Sequence, residues 1–139
     1  MLNEMERRVL EMLLAGDKPE LAVFRAQLSS ATVASREFTG VGFFTDLAVP
    51  AELPRVRGRA RLVLSDLYAE VSGLEHDAGF VLFVTDGAIA TLECYIVDDR
   101  WPDDAIILRP YYVRPVTPGS CGIIETKDRD IEYAFRDAV

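Results

Sequence analysis

Gly79-Phe-Val-Leu-Phe-Val-Thr-Asp-Gly-Ala-Ile-Ala-Thr-Leu-Glu-Cys-Tyr-Ile-Val-Asp-Asp-Arg-Trp-Pro102 decides the reading of the chain. Phe80–Val84 and Ile89–Val97 are rich in β-branched and aromatic residues. Asp86-Gly87 between them supplies the positive φ angles of a two-residue type I′ turn, so the stretch reads as an antiparallel hairpin. With that turn as the loop, Val84 faces Ile89, Leu82 faces Thr91 and Phe80 faces Glu93. Val81, Phe83, Ala90, Leu92, Cys94 and Ile96 then share a face with no polar atom except a thiol, and this is the expected core face. Phe80, Leu82, Val84 and Ile89 mix with Thr91, Glu93 and Tyr95 on the other.

Outward from the hairpin, the N-terminal part is helical. Asn3 with Glu6 makes a capping box, and Met5, Val9, Met12 and Leu13 recur at helical spacing as far as Gly16, which predicts a helix over about 4–15. Asp17 is the expected cap of a second helix, with Pro19 in its first turn and Leu21, Phe24 and Leu28 on its apolar side. From Ala31 the pattern turns strand-like. Gly40-Val-Gly42 lacks the rest of a phosphate-binding or dinucleotide motif and reads as a bulge or a close approach of another backbone or ring. Val41–Val49 and Leu62–Val71 alternate as strands, the second with Leu67, Ala69 and Val71 on one side and Asp66, Tyr68 and Glu70 on the other. Beyond Trp101-Pro102, Ala105–Leu108 and Tyr111–Val113 are short candidate strands broken by Pro110 and Pro115, which suit a sheet edge. Gly122–Thr126 is another, and residues 127–139 fit helix or strand, with acids at 128 and 130 favouring helix.

The length, 139 residues, suits one domain with a core that needs no staple. The two cysteines, Cys94 and Cys121, have no Cys or His at metal-ligand spacing and read as free thiols of a reducing cytoplasm. Neither a metal nor a cofactor is called for. The N-terminus lacks the apolar core of a secretory signal, and no stretch is apolar enough to span a membrane. Lys plus Arg number 15 against 23 Asp plus Glu, a net charge of −8, which argues against a nucleic-acid partner. Between Arg61 and Arg100 stand Asp66, Glu70, Glu75, Asp77, Asp86, Glu93, Asp98 and Asp99 without one Lys or Arg. Such a surface either keeps the protein soluble or meets a basic partner.

Three groups of candidate site residues follow. The acidic and aromatic side chains Asp66, Tyr68, Glu70, Glu93 and Tyr95, extended by Asp98, Asp99 and Trp101, are expected to share the sheet face turned away from the helices and to bind a protein partner. Glu75, His76 and Asp77 hold the sole histidine between two acids, the arrangement of a general base, provided that the loop lines a pocket. Arg55, Arg57, Arg59 and Arg61 stand at alternate positions. In an extended segment they would point one way and hold an anionic ligand, although protection of a sheet edge explains them equally.

Arg36-Glu-Phe-Thr-Gly-Val-Gly-Phe-Phe-Thr45, Gly73-Leu-Glu-His-Asp-Ala-Gly-Phe-Val-Leu-Phe-Val-Thr-Asp-Gly87, Leu92-Glu-Cys-Tyr95 and Trp101-Pro102 resemble a family of small uncharacterised bacterial proteins over about residues 5–102. Cys94 stands where that pattern has Gly, and residues 103–139 look like an addition to it. The closing strand, acidic pair and Trp-Pro are also loosely similar to the ends of immunity proteins from bacterial toxin systems. That likeness implies a cytoplasmic protein-binding module, an inhibitor of a toxin that is often basic. The competing reading is a small enzyme or ligand-binding domain built on the histidine and arginine loops. The expected architecture is α+β, a single domain over 1–139, monomeric or homodimeric. A helical hairpin packs on an antiparallel meander of four or five strands, with a C-terminal extension.

Overall fold

The computed structural model of the chain describes residues 1–97 and 99–138; Asp98 and Val139 lie outside them. Two helices, α1 (Glu4–Leu13) and α2 (Pro19–Ser30), precede the strands β1 (Thr32–Phe38), β2 (Gly42–Ala48), β3 (Arg61–Val71), β4 (Ala78–Thr85), β5 (Ala88–Tyr95), β6 (Ile107–Pro115) and β7 (Ile123–Thr126), followed by a helical turn α3 (Ile131–Ala134) and a last short strand β8 (Asp137–Ala138). The strands form one sheet in the order β1-β2-β5-β4-β3-β6-β7, with β8 beside β3. Every pairing is antiparallel.

The α+β architecture and the helical pair agree with the sequence reading, but the sheet is larger than a meander of four or five strands. The chain beyond Pro102 supplies β6, β7 and β8. Pro110 and Pro115 do not split β6, because Pro110 lies opposite Ala69 and the strand continues to its pairing with β7.

In α1, the side chain of Asn3 accepts from the Glu6 amide at 2.8 Å and the Asn3 amide donates back to Glu6 at 2.8 Å, the reciprocal capping box. Asp17 does not cap α2. The N-cap is Lys18, without a side-chain bond, and Pro19 starts the helix with its preset φ. Glu20 turns to Arg59 instead, at 2.6 Å. Both helices lay their apolar stripes on one side of the sheet, where Val9, Leu10, Leu13, Leu21 and Phe24 join Leu62, Leu64, Leu67, Phe80, Leu82 and Leu92 in the core. Buried Gln27 of α2 fixes the turn between β4 and β5, donating to the carbonyls of Pro54 and Gly87 and accepting the Ile89 amide, each at 3.0 Å. Gly87 is needed there. Its φ is +77° and an added Cβ would stand 2.1 Å from the Val56 carbonyl oxygen. Gly42 has the same role between β2 and β5, where a Cβ would meet the Cys94 carbonyl oxygen at 1.9 Å.

The hairpin turn is where the sequence places it, but the face of β4 is reversed. Phe80, Leu82 and Val84 point to the helices, and Val81 and Phe83 are half-exposed on the other side. The cause is a register shift beside the turn: Val84 faces Ile89, but Phe83 faces Thr91 and Leu82 faces Leu92, so Ala90 is an unpaired extra residue. It lets Ile89 and Leu92, three apart, both enter the core. A second shift on β3 leaves Ser65 and Asp66 between the pairs Leu64–Leu82 and Leu67–Phe80. Asp66 thereby leaves the side of Tyr68 and Glu70 and becomes wholly buried, 0% exposed.

There it meets Arg129, from the segment leading into α3. The two form a bidentate pair, with Nε and Nη2 each 2.8 Å from a carboxylate oxygen. The remaining Nη1 donates to the carbonyls of Leu13 and Ala15, both at 2.8 Å, at the end of α1. The guanidinium thus satisfies carbonyls that the helix leaves open and opposes the negative end of its dipole.

Replacing Phe80 with Ala is expected to cost about 3–5 kcal/mol by cavity formation, and Phe83→Ala much less, because the second ring is already partly in water. Urea unfolding of the two variants measures the difference. Arg129→Ala strands a buried carboxylate, and a loss of about 3–5 kcal/mol is expected. An Asp66→Leu/Arg129→Met double substitution, which removes both charges, is expected to recover most of it in the same measurement.

Candidate functional site

The sheet face opposite the helices is the part of the expected site that the structure assembles. The register places Phe44 opposite Glu93, Asp46 opposite Thr91, Gly79 opposite both Tyr95 and Tyr68, and Tyr68 opposite Tyr111. Tyr68, Glu70, Val81, Phe83, Glu93, Tyr95 and Tyr111 are each partly exposed. Gly79 makes room for the Tyr95 ring, since a Cβ at this position would lie 2.3 Å from it. The Tyr95 hydroxyl donates to that of Tyr68 at 3.1 Å, and the rings of Tyr68 and Tyr111 stack at 6.2 Å. Tyr111 in turn donates to Asp77. Burial, seconded by the hydrogen bonds to Tyr68 and Asp77 respectively, pushes the phenols of Tyr95 and Tyr111 well up. These tyrosines therefore stay protonated and present neutral, rigid rings.

Carboxylates surround the rings, and they are not equally available. Arg109 donates to Glu70 and Glu125, 2.6 Å each, and its guanidinium lies 4.8 Å from the Tyr111 ring centre. Asp46 accepts from the hydroxyls of Ser35 and Thr91, both at 2.9 Å. Glu93, beside Phe44 and Tyr95, has no hydrogen bond or ion pair among the described residues.

Three of the expected partner-binding residues lie elsewhere. Asp66 belongs to the buried pair with Arg129. Trp101 does not extend the outer face: it packs edge-on to Phe43 at 5.5 Å, on the helix side of the sheet. Asp99 lies in the loop before it and accepts from the amides of Glu75 and Arg100, and Asp98 is outside the described residues.

The structure does not bring the four arginines of the loop to one side. Gly58, at φ +77°, breaks the extended run. Arg55 is turned inward onto the carbonyls of Val49, Pro50 and Leu53, and Arg59 is taken up by Glu20, while Arg57 and Arg61 are exposed. His76 is exposed in the loop before β4, without a hydrogen bond to Glu75 or Asp77, and no cleft described is lined by it. The oriented base that catalysis there requires is missing from this geometry. Among the described residues no group of three or more His, Cys, Asp or Glu is placed to hold a metal ion, and no helix is long and apolar enough to cross a membrane. Cys94 is buried, which pushes its thiol up, and Cys121 is exposed.

One polar constellation escapes sequence reasoning. Glu6, which the capping box assigns to helix initiation, is 1% exposed and also receives Arg36 Nε at 2.8 Å, Arg36 Nη2 at 2.7 Å and the Thr45 hydroxyl at 2.6 Å. Only the pairing of β1 with β2, which sets Arg36 opposite Thr45, brings these groups under α1. No protein-family model, curated protein or solved structure matches the chain.

Burial alone would raise the Glu6 carboxyl, but hydrogen bonds from Arg36, Thr45 and the Asn3 amide outweigh it and hold the group below its ordinary value of 4.5. The unfolded chain therefore binds this proton more tightly than the folded one. The stabilisation is complete above pH 4.5 and is lost as the pH falls from there through the folded value. Acid titration of unfolding free energy is expected to show a steeper decline in the wild type than in Glu6→Gln, measured by urea melts at successive pH values.

Proposed function

We propose that the protein is a binding module for another protein and that the outer sheet face makes the contact. The specific reading is a cytoplasmic, immunity-type inhibitor that binds and neutralises a basic bacterial toxin. The observation that carries it is the Tyr68–Tyr95–Tyr111 cluster. Three held rings and the half-exposed Phe44, Val81 and Phe83 stand on the face turned away from the helices, with Glu93 at its centre unpaired among the described residues. Rings fixed in this way offer large contact area with little entropy left to lose, while unneutralised carboxylates steer a cationic partner and speed encounter. The net charge of −8 acts in the same direction. Arg109 neutralises the β6 side of the face by engaging Glu70 and Glu125, so the partner's basic residues fit best over β2, β5 and β4. The likeness to immunity proteins in the closing strand and the Trp-Pro agrees with this reading.

The test is capture of the partner from the source cell, with identification by mass spectrometry, followed by kinetics on the purified pair. Glu93→Lys is expected to slow association about tenfold and to flatten its salt dependence. Tyr68→Ala is expected to speed dissociation, at a cost of about 1–2 kcal/mol in affinity. Unchanged affinity and salt dependence in both variants rule out this face as the contact.

A further inference from the structure

A second surface lies on the opposite side of the sheet. Between the first turn of α1, the end of β1 and residues 101–105 is a cleft of about 300 Å³. Its aromatic wall is Phe38, Phe43 and Trp101, with ring centres 6.2 Å apart for the first pair and 5.5 Å for the second. Phe43 is buried and anchors the group; Trp101 is half-buried; Phe38 is 69% exposed. An aromatic ring left so far in water at the end of an edge strand, β1, which pairs only with β2 among the described residues, is costly unless something covers it.

The charges of the cleft indicate what does. Glu4, Glu6 and Asp103 line it against one cation, Arg36. Glu6 and Arg36 consume each other in the bidentate pair already described. The positive end of α1 is met by the Asn3 side chain and by the first-turn acids Glu6 and Glu4, the second of them exposed. What remains is Glu4 and Asp103, two carboxylates with no hydrogen bond or ion pair among the described residues, facing three aromatic rings. Arg8, one turn farther along α1, shares the adjoining cleft with Glu4, Met5, Ala105 and Ile106 but forms no ion pair with Glu4 among the described residues. Aromatic faces attract a cation through their quadrupole, and carboxylates at the mouth complete its coordination.

We propose that this cleft receives a lysine or arginine side chain from an extended segment of a partner protein. The ammonium or guanidinium sits between the Phe38 and Trp101 rings and the carboxylates of Glu4 and Asp103. The aliphatic stem lies on Met5 and Phe38, and the free edge of β1 is available to the backbone of the segment. The site is separate from the outer face and does not depend on it.

Trp101 is the sole tryptophan, so its emission and indole N–H resonance report occupancy directly. The experiment titrates the full chain with acetyl-Gly-Gly-Lys-Gly-Gly-amide and with the same peptide carrying norleucine or glutamate in place of lysine. The lysine peptide is expected to give a saturable Trp101 response, and the norleucine peptide to bind about fivefold more weakly or worse. Phe38→Ala and the Glu4→Gln/Asp103→Asn pair are expected to weaken the lysine peptide to a similar extent. These are solvent-facing changes, and a thermal melt confirms the fold. Glu93→Lys, on the outer face, is expected to leave the Trp101 response intact, which separates this site from the surface proposed above. Absence of a saturable response, equal binding of the norleucine or glutamate peptide, or indifference to the Glu4 and Asp103 substitutions overturns the proposal.

Discussion

The buried pair between Asp66 and Arg129 is the contact on which the other parts of the fold converge. An ionised carboxylate with no exposure is tolerated only when its charge is matched and its lone pairs are occupied, and Arg129 does both with Nε and Nη2. The same guanidinium ends α1 through Nη1 and lies 5.2 Å from the ring centre of Tyr112 of β6, whose hydroxyl donates to the Met12 carbonyl at 2.6 Å. One side chain therefore ties together a bulge in the central strand, the end of the first helix and the strand beyond. Without that bulge Asp66 would join Tyr68 and Glu70 on the outer face. The removal of one carboxylate from that surface and the anchoring of α1 thus have one cause.

Local features were legible in the residues. The capping box of α1, Pro19 at the start of α2, Asp86-Gly87 and the antiparallel hairpin depend on contacts within a few positions, and the structure shows each of them. What the residues concealed depends on register. The extra residue at Ala90 reverses the expected face of Phe80 and Phe83, and the one at Ser65-Asp66 withdraws a carboxylate from the expected site. Alternation in the sequence is silent about bulges, because the signal is a partner strand's spacing and not a residue type. Of the candidate site, Tyr68, Glu70, Glu93 and Tyr95 do come together, and Tyr111, with the Asp77 it holds, joins them only through the pairing of β3 with β6, which no local pattern announces. The arginine loop misled because spacing by two implies one face only in an extended segment, which Gly58 interrupts.

The two surfaces proposed for binding differ in how they are held. The outer face rests on the β-ladder itself, with Gly79 accommodating the Tyr95 ring, Tyr95 bonded to Tyr68 and Tyr111 to Asp77, so the rings are held by the sheet. The cleft at the start of α1 has a bonded floor, the pair of Glu6 and Arg36 with Thr45, and an exposed rim in Phe38, Glu4 and Asp103. A broad face held by the sheet suits a preformed partner surface, whereas a bonded floor with an exposed aromatic and acidic rim suits a single inserted side chain.

The arrangement around β3 also governs the order in which the chain can fold. Arg129 reaches a helix carbonyl 116 positions earlier, and Gln27 in α2 holds an amide 62 positions later. Helices of ten and twelve residues hold little structure alone, and the hairpin of β4 and β5 lacks its neighbours until β2 and β3 arrive. The β1–β2, β3–β4, β4–β5 and β6–β7 ladders join neighbouring strands, whereas the β2–β5 and β3–β6 pairings and the helix contacts close longer loops, so the hairpins can form before the sheet and its helical cover are assembled. During synthesis the apolar side of the sheet has no complete cover until the segment carrying Arg129 has emerged, and the interval before that is when the chain is most exposed to association with its own copies.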